Sequence, residues 1–269
     1  MPSPESRAEA RDARAARHIW LRERLIADSC VVLALVGWWL MARHLPPYLF
    51  PDIPTVLKAM VRLVTDPSFV VHTATSVGRI FLSVALSLLI GGVLAMVSRY
   101  VPAMHEFIHD RVKPVLNSFP SVGWALLGSI WFGVTSFAVL FIQIAILIPF
   151  TFINISEGLR EINPEQQEMA RSFSRASWRV FALVLFPMLY PYLIAALRIS
   201  YGVAWKVSLV SELFGAERGL GYLLMNAQTN AHVDMIFAIC LIIVVFYVLG
   251  EKLIVDPLSR LYRGGARHP

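Results

Sequence analysis

Six long apolar stretches constrain this chain more than any other feature. They lie at 26–43, 74–97, 113–132, 137–156, 188–211 and 233–252, the last containing MIFAICLIIVVFYVLG. A helix of about 20 apolar residues crosses a hydrocarbon layer about 30 Å thick, where every backbone polar group must be paired within the protein. The third stretch is the weakest, because Pro114, Asn117 and Pro120 interrupt it. Composition agrees: 57% of residues are hydrophobic and only 16% charged, against about 25% charged in ordinary globular domains. The expected class is an all-α membrane protein with six transmembrane helices. A water-soluble enzyme, a disordered chain, a collagen-like repeat and a disulfide-stapled miniprotein are excluded. Cys30 and Cys240 sit inside apolar runs and read as small fillers rather than metal ligands.

The basic residues orient the spans. Seventeen of the 24 Lys and Arg fall on the side of the N-terminus, in 7–24, 99–113, 160–179 and 252–267. Four fall on the other side, namely Arg43, Lys58, Arg62 and Arg218, and Arg79, Arg198 and Lys206 lie within spans. Both termini are therefore expected in the cytoplasm, in a multi-pass membrane protein. The net charge of +6 reflects this topology rather than nucleic-acid binding. A cleaved secretory signal would have a core of about 7–15 residues and a small-residue cleavage site. The first stretch is longer and runs into Arg43, His44 and Pro46, so a retained span is expected. The chain divides into a cytoplasmic amphipathic segment at 1–25, a six-span domain at 26–254 and a cytoplasmic tail at 255–269. Residues 51–67 read as a short external helix, with Val56, Met60, Leu63 and Val64 on one face.

The internal segment 157–186 is longer than a connection needs to be. Pro164 suits the opening of a helix, and Glu165 and Glu168 suit its first turns. Met169 and Phe173 are spaced i, i+4, and Trp178, Phe181 and Leu185 continue at helical intervals. An amphipathic hairpin is expected here, one side against the bundle and the other facing a soluble partner.

This segment resembles the cytoplasmic signature of importer permeases of the ATP-binding-cassette superfamily, written EAA, three residues, Gly, nine residues, I-x-LP. Glu168, Met169 and Ala170 fall on its first three positions, Ser174 on the Gly, and Val184, Phe186 and Pro187 on its end. Met169 and Ser174 depart from the pattern. The wider chain, from about 49 to 263, is similar to the nitrate, sulfonate, taurine and bicarbonate branch. The stretches LFPDIPTVLKAM, SVGRI, SFPSVGWALLGSIWFG, ALRISYGVAWKVSLVSELFG and RGLGYLL carry this likeness in order. The resemblance implies a type I importer permease fold (MetI-like), with 157–186 as a coupling-helix hairpin. It implies two cassette ATPase subunits, a second permease copy (most simply a homodimer) and a periplasmic solute-binding protein as partners. Glu168, Met169, Ala170, Arg171, Ser174 and Pro187 would then form the ATPase-coupling element, and ATP-driven closure would rock the spans between two states.

Charged residues inside spans should face the bundle, a partner or water. Lys206 and Arg198, with Asn117 and Ser121 of the interrupted third stretch, are candidates for a translocation path that favours a small anion. The alternatives are that Arg198 snorkels to the cytoplasmic boundary and that Lys206 pairs with Glu212 or a carbonyl. Arg79 and Gln143 should also face inward. The pair Gly91–Gly92 and the region of Gly128 and Ser129 would allow close helix approach. In the external segment 212–234, Gly219 and Gly221 suit a tight re-entrant turn. By resemblance that turn, with Glu212, lies near an outer gate or the binding-protein surface.

No Gly-x-x-x-x-Gly-Lys-Ser/Thr phosphate loop occurs, so ATP hydrolysis is assigned to a separate subunit. No His-Glu-x-x-His or Gly-x-Ser-x-Gly pattern occurs, and His105 and His109 read as solvated surface. No cofactor or metal is expected. A secondary transporter and a multi-pass membrane enzyme stay open as alternatives, and neither requires a cassette ATPase.

Overall fold

A backbone in hydrocarbon has only itself to bond to, and the chain answers with helices almost throughout. The computed structural model describes residues 4–101, 104, 106–163, 165, 168, 169, 172 and 177–265. Helix α1 is Pro4–His44, α2 Ile53–Thr65, α3 Pro67–Tyr100, α4 Lys113–Ser118 and α5 Ser121–Phe132. Then follow α6 Ser136–Glu161, α7 Phe186–Gly215, α8 Leu220–Thr229, α9 Val233–Gly250 and α10 Asp256–Gly265. Among the described residues, five helical segments are long and apolar enough to cross a membrane: Arg24–His44, Pro67–Tyr100, Ser136–Glu161, Phe181–Gly215 and Val233–Arg260.

The third expected span is broken. Phe119 takes an extended conformation (ψ 124°) ahead of Pro120, because the proline ring disfavours helical backbone in the residue before it. The result is the one-and-a-half-turn α4 and the 12-residue α5, which is about 18 Å long and too short to cross alone. The part of α1 long and apolar enough to cross a membrane is Arg24–His44. Helix α1 runs from Pro4 through His44 with no break at residue 25.

Three wide helical turns stand immediately before prolines. Phe107–Val112 precedes Pro114, Phe181–Leu185 precedes Pro187, and Glu251–Val255 precedes Pro257. In each, the last N–H before the proline reaches back five residues: Lys113 to Ile108, Phe186 to Phe181, Asp256 to Glu251. A proline ring collides with the carbonyl four residues back and offers it no N–H. Widening the turn moves that carbonyl aside while the helix continues.

Helices α3, α6 and α7 pack along one another as the centre of the bundle, and α5 lies against α6 and α7. Close approach is secured by glycine. A Cβ on Gly91 would stand 2.0 Å from Thr151 Oγ1 and 2.9 Å from Phe152 N, and one on Gly128 would stand 2.5 Å from Ile142 Cγ1. The Thr151 hydroxyl donates across this contact to the Ser87 carbonyl at 2.8 Å. The core has two parts. One gathers Ile80, Leu147, Tyr201, Trp205, Leu220 and Ile239, and the other Ala95, Phe152, Ile155, Leu185 and Leu189.

Helix α2 lies on α9, burying Val56, Ala59 and Leu63. Val64, expected on that face, is exposed; the inward stripe runs 56, 59, 63, and residue 64 is turned about 100° from 63. Asp66 starts α3 by accepting the Ser68 N–H at 2.8 Å, which holds its carboxyl below the usual carboxylate range. The spanning part of α1 leaves Leu25, Val31 and Leu33 exposed, as a helix facing lipid requires. It is anchored at Trp38, whose ring meets Phe50 and Phe237 and whose Nε1–H donates to the Pro51 carbonyl at 3.0 Å.

Candidate functional site

At one end of the bundle, helix α8 begins without a conventional cap. The first N–H groups of a helix have no partner within it. Here three of them come to rest on side chains of other helices. Gly219 N–H donates to His72 Nδ1 at 3.1 Å, Leu220 N–H to Ser76 Oγ at 2.8 Å, and Gly221 N–H to Glu212 Oε2 at 2.9 Å. Ser76 passes the chain on, its hydroxyl lying 2.8 Å from each Glu212 oxygen. The carboxylate also benefits from its place at a helix N-terminus.

Arg79, one turn along α3, completes the cluster. Its Nη1 donates to Glu212 Oε1 at 3.2 Å and to the Arg218 carbonyl at 2.7 Å, and Nη2 donates to Ser136 Oγ at 2.7 Å. One guanidinium thus joins α3, the 216–219 turn and the start of α6. Both charges are buried, at 7% and 1% side-chain exposure. The glycines are obligatory. Gly219 has φ +137°, and a Cβ there would stand 2.3 Å from Glu212 Oε2. A Cβ on Gly221 would stand 2.6 Å from Glu212 Cβ. Beside the cluster lies a cavity of about 290 Å³ that Thr75, Arg79, Thr135, Ser136, Glu217 and Arg218 line.

Glu212, Gly219 and Gly221, expected together near an outer gate, therefore do meet. Two expectations change. Glu212 belongs to α7, which extends to Gly215, and not to the loop after it. Lys206 does not pair with Glu212, because Arg79, Ser76 and Gly221 surround that carboxylate. Ser76, His72 and Ser136 were not singled out from the sequence as partners. The available signal was the polar spacing Ser76, Arg79, Ser83, Ser87 within an apolar segment, a stripe that lies buried.

The residues of the candidate translocation path scatter. Lys206 is exposed between buried Trp205 and Val207. Arg198 is half exposed and ion-paired with Asp256 of α10, a partner the sequence reading did not name. Ser121 is exposed at the start of α5, and the side chain of Asn117 lies outside the described residues. Gln143 is fully buried, its Nε2–H₂ donating to Ser208 at 3.2 Å and Ser211 at 3.3 Å of α7. That places it among the contacts that bind α6 to α7.

In the segment 157–186, Ala170, Arg171 and Ser174 lie outside the described residues, as do Pro164, Phe173, Arg175 and His105 and the side chains of Trp178 and His109. Glu168 and Met169 are helical and exposed. Met169, expected to pack inward, is 60% exposed. Ile162, near the start of the segment, and Leu185, near its end, are buried in the same core. Pro187 follows the wide turn Phe181–Leu185, which accommodates its ring while the helix runs on into α7.

Comparison with known proteins places this arrangement. Residues 87–256 match the family model described as the binding-protein-dependent transport system inner membrane component. The taurine transport system permease protein of Escherichia coli K12 is 26% identical over 241 residues, covering 86% of this chain and 87% of that protein. The nitrate import permease protein of Synechococcus elongatus is 28% identical over 167 residues, covering 62% of this chain and 57% of that protein. A solved structure, that of an amino acid ABC transporter with histidines, superposes with a TM-score of 0.58 at 20% identity, covering 76% of this chain and 96% of the other.

Proposed function

The chain belongs to the family of binding-protein-dependent transport system inner membrane components, and on that premise we propose how it works as the permease subunit of an ABC importer. Its solute is a small anion such as a sulfonate or nitrate, in keeping with the taurine and nitrate permeases among its relatives. Two copies form the membrane unit, with both termini cytoplasmic and a cassette ATPase beneath each copy. A periplasmic binding protein delivers the solute to the end that carries Glu212, Gly219 and Gly221.

Coupling runs through 157–186. The observation that carries this is the presentation of Glu168 and Met169 to solvent on a segment whose two ends, Ile162 and Leu185, are buried in one core. A rigid base and an exposed crest suit an element that a partner pushes. Pro187 and the wide turn before it stand where the hairpin joins α7, so that a push on the crest is delivered to a spanning helix. By resemblance, Ala170, Arg171 and Ser174 belong to the same coupling element.

Lys206 supports an anion path for a physical reason. It lies nine residues, or about 14 Å, from the outer end of α7, well inside the hydrocarbon. A lysine left exposed at that depth is costly in lipid and must face a second copy or water. A secondary transporter or an enzyme would not need the exposed crest.

The test is Glu168→Ala in proteoliposomes that hold permease, ATPase and binding protein. The variant should insert and melt as wild type does, because an exposed intrahelical pair contributes at most about 0.5 kcal/mol. It should hold the ATPase more weakly and lose ATP-driven uptake, since truncating one partner of a desolvated interface contact costs about 2–5 kcal/mol. Normal ATPase retention with a normal uptake rate would remove 157–186 as the coupling element.

A further inference from the structure

Between α7 and α10 lies a cavity of about 610 Å³ that none of the roles above uses. Pro191 and Ile194 line its apolar part, and Arg198, Asp256, Ser259 and Arg260 its polar part. The tail helix is tied down on both sides of it: Arg198 pairs with Asp256, and the Tyr190 hydroxyl donates to the Leu258 carbonyl at 2.9 Å. Two guanidinium groups therefore face the cavity against one carboxylate. Asp256 offsets Arg198, while Arg260 makes no ion pair among the described residues. The Ser259 hydroxyl is already engaged with the Asp256 carbonyl at 2.7 Å, so the available donors are the two arginines.

The setting favours one kind of ligand. Arg198 lies within the apolar helix α7, and Arg260 lies at the end of the candidate span Val233–Arg260, so the cavity straddles the edge of the hydrocarbon. Leu253 and Ile254, just before α10, are exposed apolar side chains. A site with a charged rim over an apolar floor, at the membrane boundary, matches an amphiphile with an anionic head. Guanidinium forks match phosphate oxygens in geometry, and basic pockets between spanning helices take lipid head groups.

We propose that this cavity binds a phosphate group, either as the head group of an anionic phospholipid or free in solution, and that binding fastens the tail helix to α7. The leaflet in which it does so rests on the orientation proposed above; the chemistry of the site does not. A consequence is that Arg198 serves the tail rather than the translocation path.

The experiment uses the full chain purified in a neutral detergent. Native mass spectrometry reads retention of short-chain phosphatidylglycerol against phosphatidylcholine, and thermal melting reads protection by each lipid and by inorganic phosphate. Phosphatidylglycerol should be retained and protective where phosphatidylcholine is neither. Arg260→Gln should weaken that binding about fivefold, the effect of one arginine near an anionic surface. Arg260→Lys should keep most of it, and Arg99→Gln, on another basic stretch of the chain, should leave it unchanged. Protection by phosphatidylglycerol alone assigns the site to lipid, and equal protection by inorganic phosphate assigns it to the free ion. Equal retention of both lipids without phosphate protection, no binding of any of the three, or an Arg260→Gln variant that binds as wild type does would overturn the proposal. Because binding is read in detergent, its failure is separate from any failure of the orientation.

Discussion

Arg79 of α3 and Glu212 of α7, 133 residues apart in sequence, form a buried ion pair 3.2 Å long at one end of the bundle. The pair is embedded rather than isolated. Glu212 also accepts from Ser76 and from the Gly221 backbone, and Arg79 also donates to Ser136 and to the Arg218 carbonyl. Four segments thus depend on one contact: α3, the start of α6, the end of α7 and the turn into α8.

A buried pair of this kind adds little net stability, but breaking it leaves a charge with no counterpart, at a cost of about 3–5 kcal/mol. Arg79→Met should therefore lower the melting temperature of the purified permease sharply. The double variant Arg79→Met with Glu212→Met should be less destabilised than Arg79→Met alone. An Arg79→Met variant that melts with wild type would mean the cluster bears no structural load.

Gly91 is a point of close approach between α3 and α6. Any Cβ there meets Thr151 Oγ1 and the Phe152 backbone, which cannot both withdraw. Gly91→Val should cost at least about 1–3 kcal/mol as overpacking. Gly78, with nothing within 4 Å of the corresponding position, provides the control. Gly78→Ala should be neutral or slightly stabilising in the helix. Equal melting of the two variants would place the α3–α6 contact elsewhere.

Orientation is read by labelling single cysteines in intact cells. Cysteine in place of Ser172, in 157–186, should react only after the cytoplasm is opened. Cysteine in place of Asn226, on the exposed side of α8, should react from outside. The inverse pattern would turn the whole topology over, and with it the positions of the binding protein and the ATPase.

Lys206 carries the path hypothesis by itself now that Arg198 is committed to Asp256. Lys206→Met keeps most of the length of the side chain and removes its charge. Uptake of an anionic solute should fall, while complex assembly and basal ATP hydrolysis stay as they are. Unchanged uptake would assign Lys206 to an interface between copies instead.

Much of this protein was legible in one dimension. The apolar runs mark five helices long enough to cross the membrane, and Pro120 marks the place where the remaining run breaks. Gly219 and Gly221 announced a tight turn, and Gly91 a close helix contact, because glycine tolerates geometry and proximity that other residues do not. The order of short motifs pointed to the family that residues 87–256 match.

What the sequence could not decide is which distant groups meet. Glu212 was an alternative partner for Lys206, yet its partner is Arg79 on α3. Arg198 looked free to line a path, yet Asp256 at the start of the tail helix holds it. Gln143 was expected to face inward, but its partners, Ser208 and Ser211 of α7, could not be named from the sequence. Periodicity and composition report how each helix is divided between apolar and polar sides, which is a local property. Pairing depends on how α3, α6 and α7 cross, and close fits such as Gly91 against Thr151 and Gly158 against Tyr192 govern how near they come. Hydropathy along the chain fixed that these helices lie in a membrane; only their packing fixed which buried charge would find which partner.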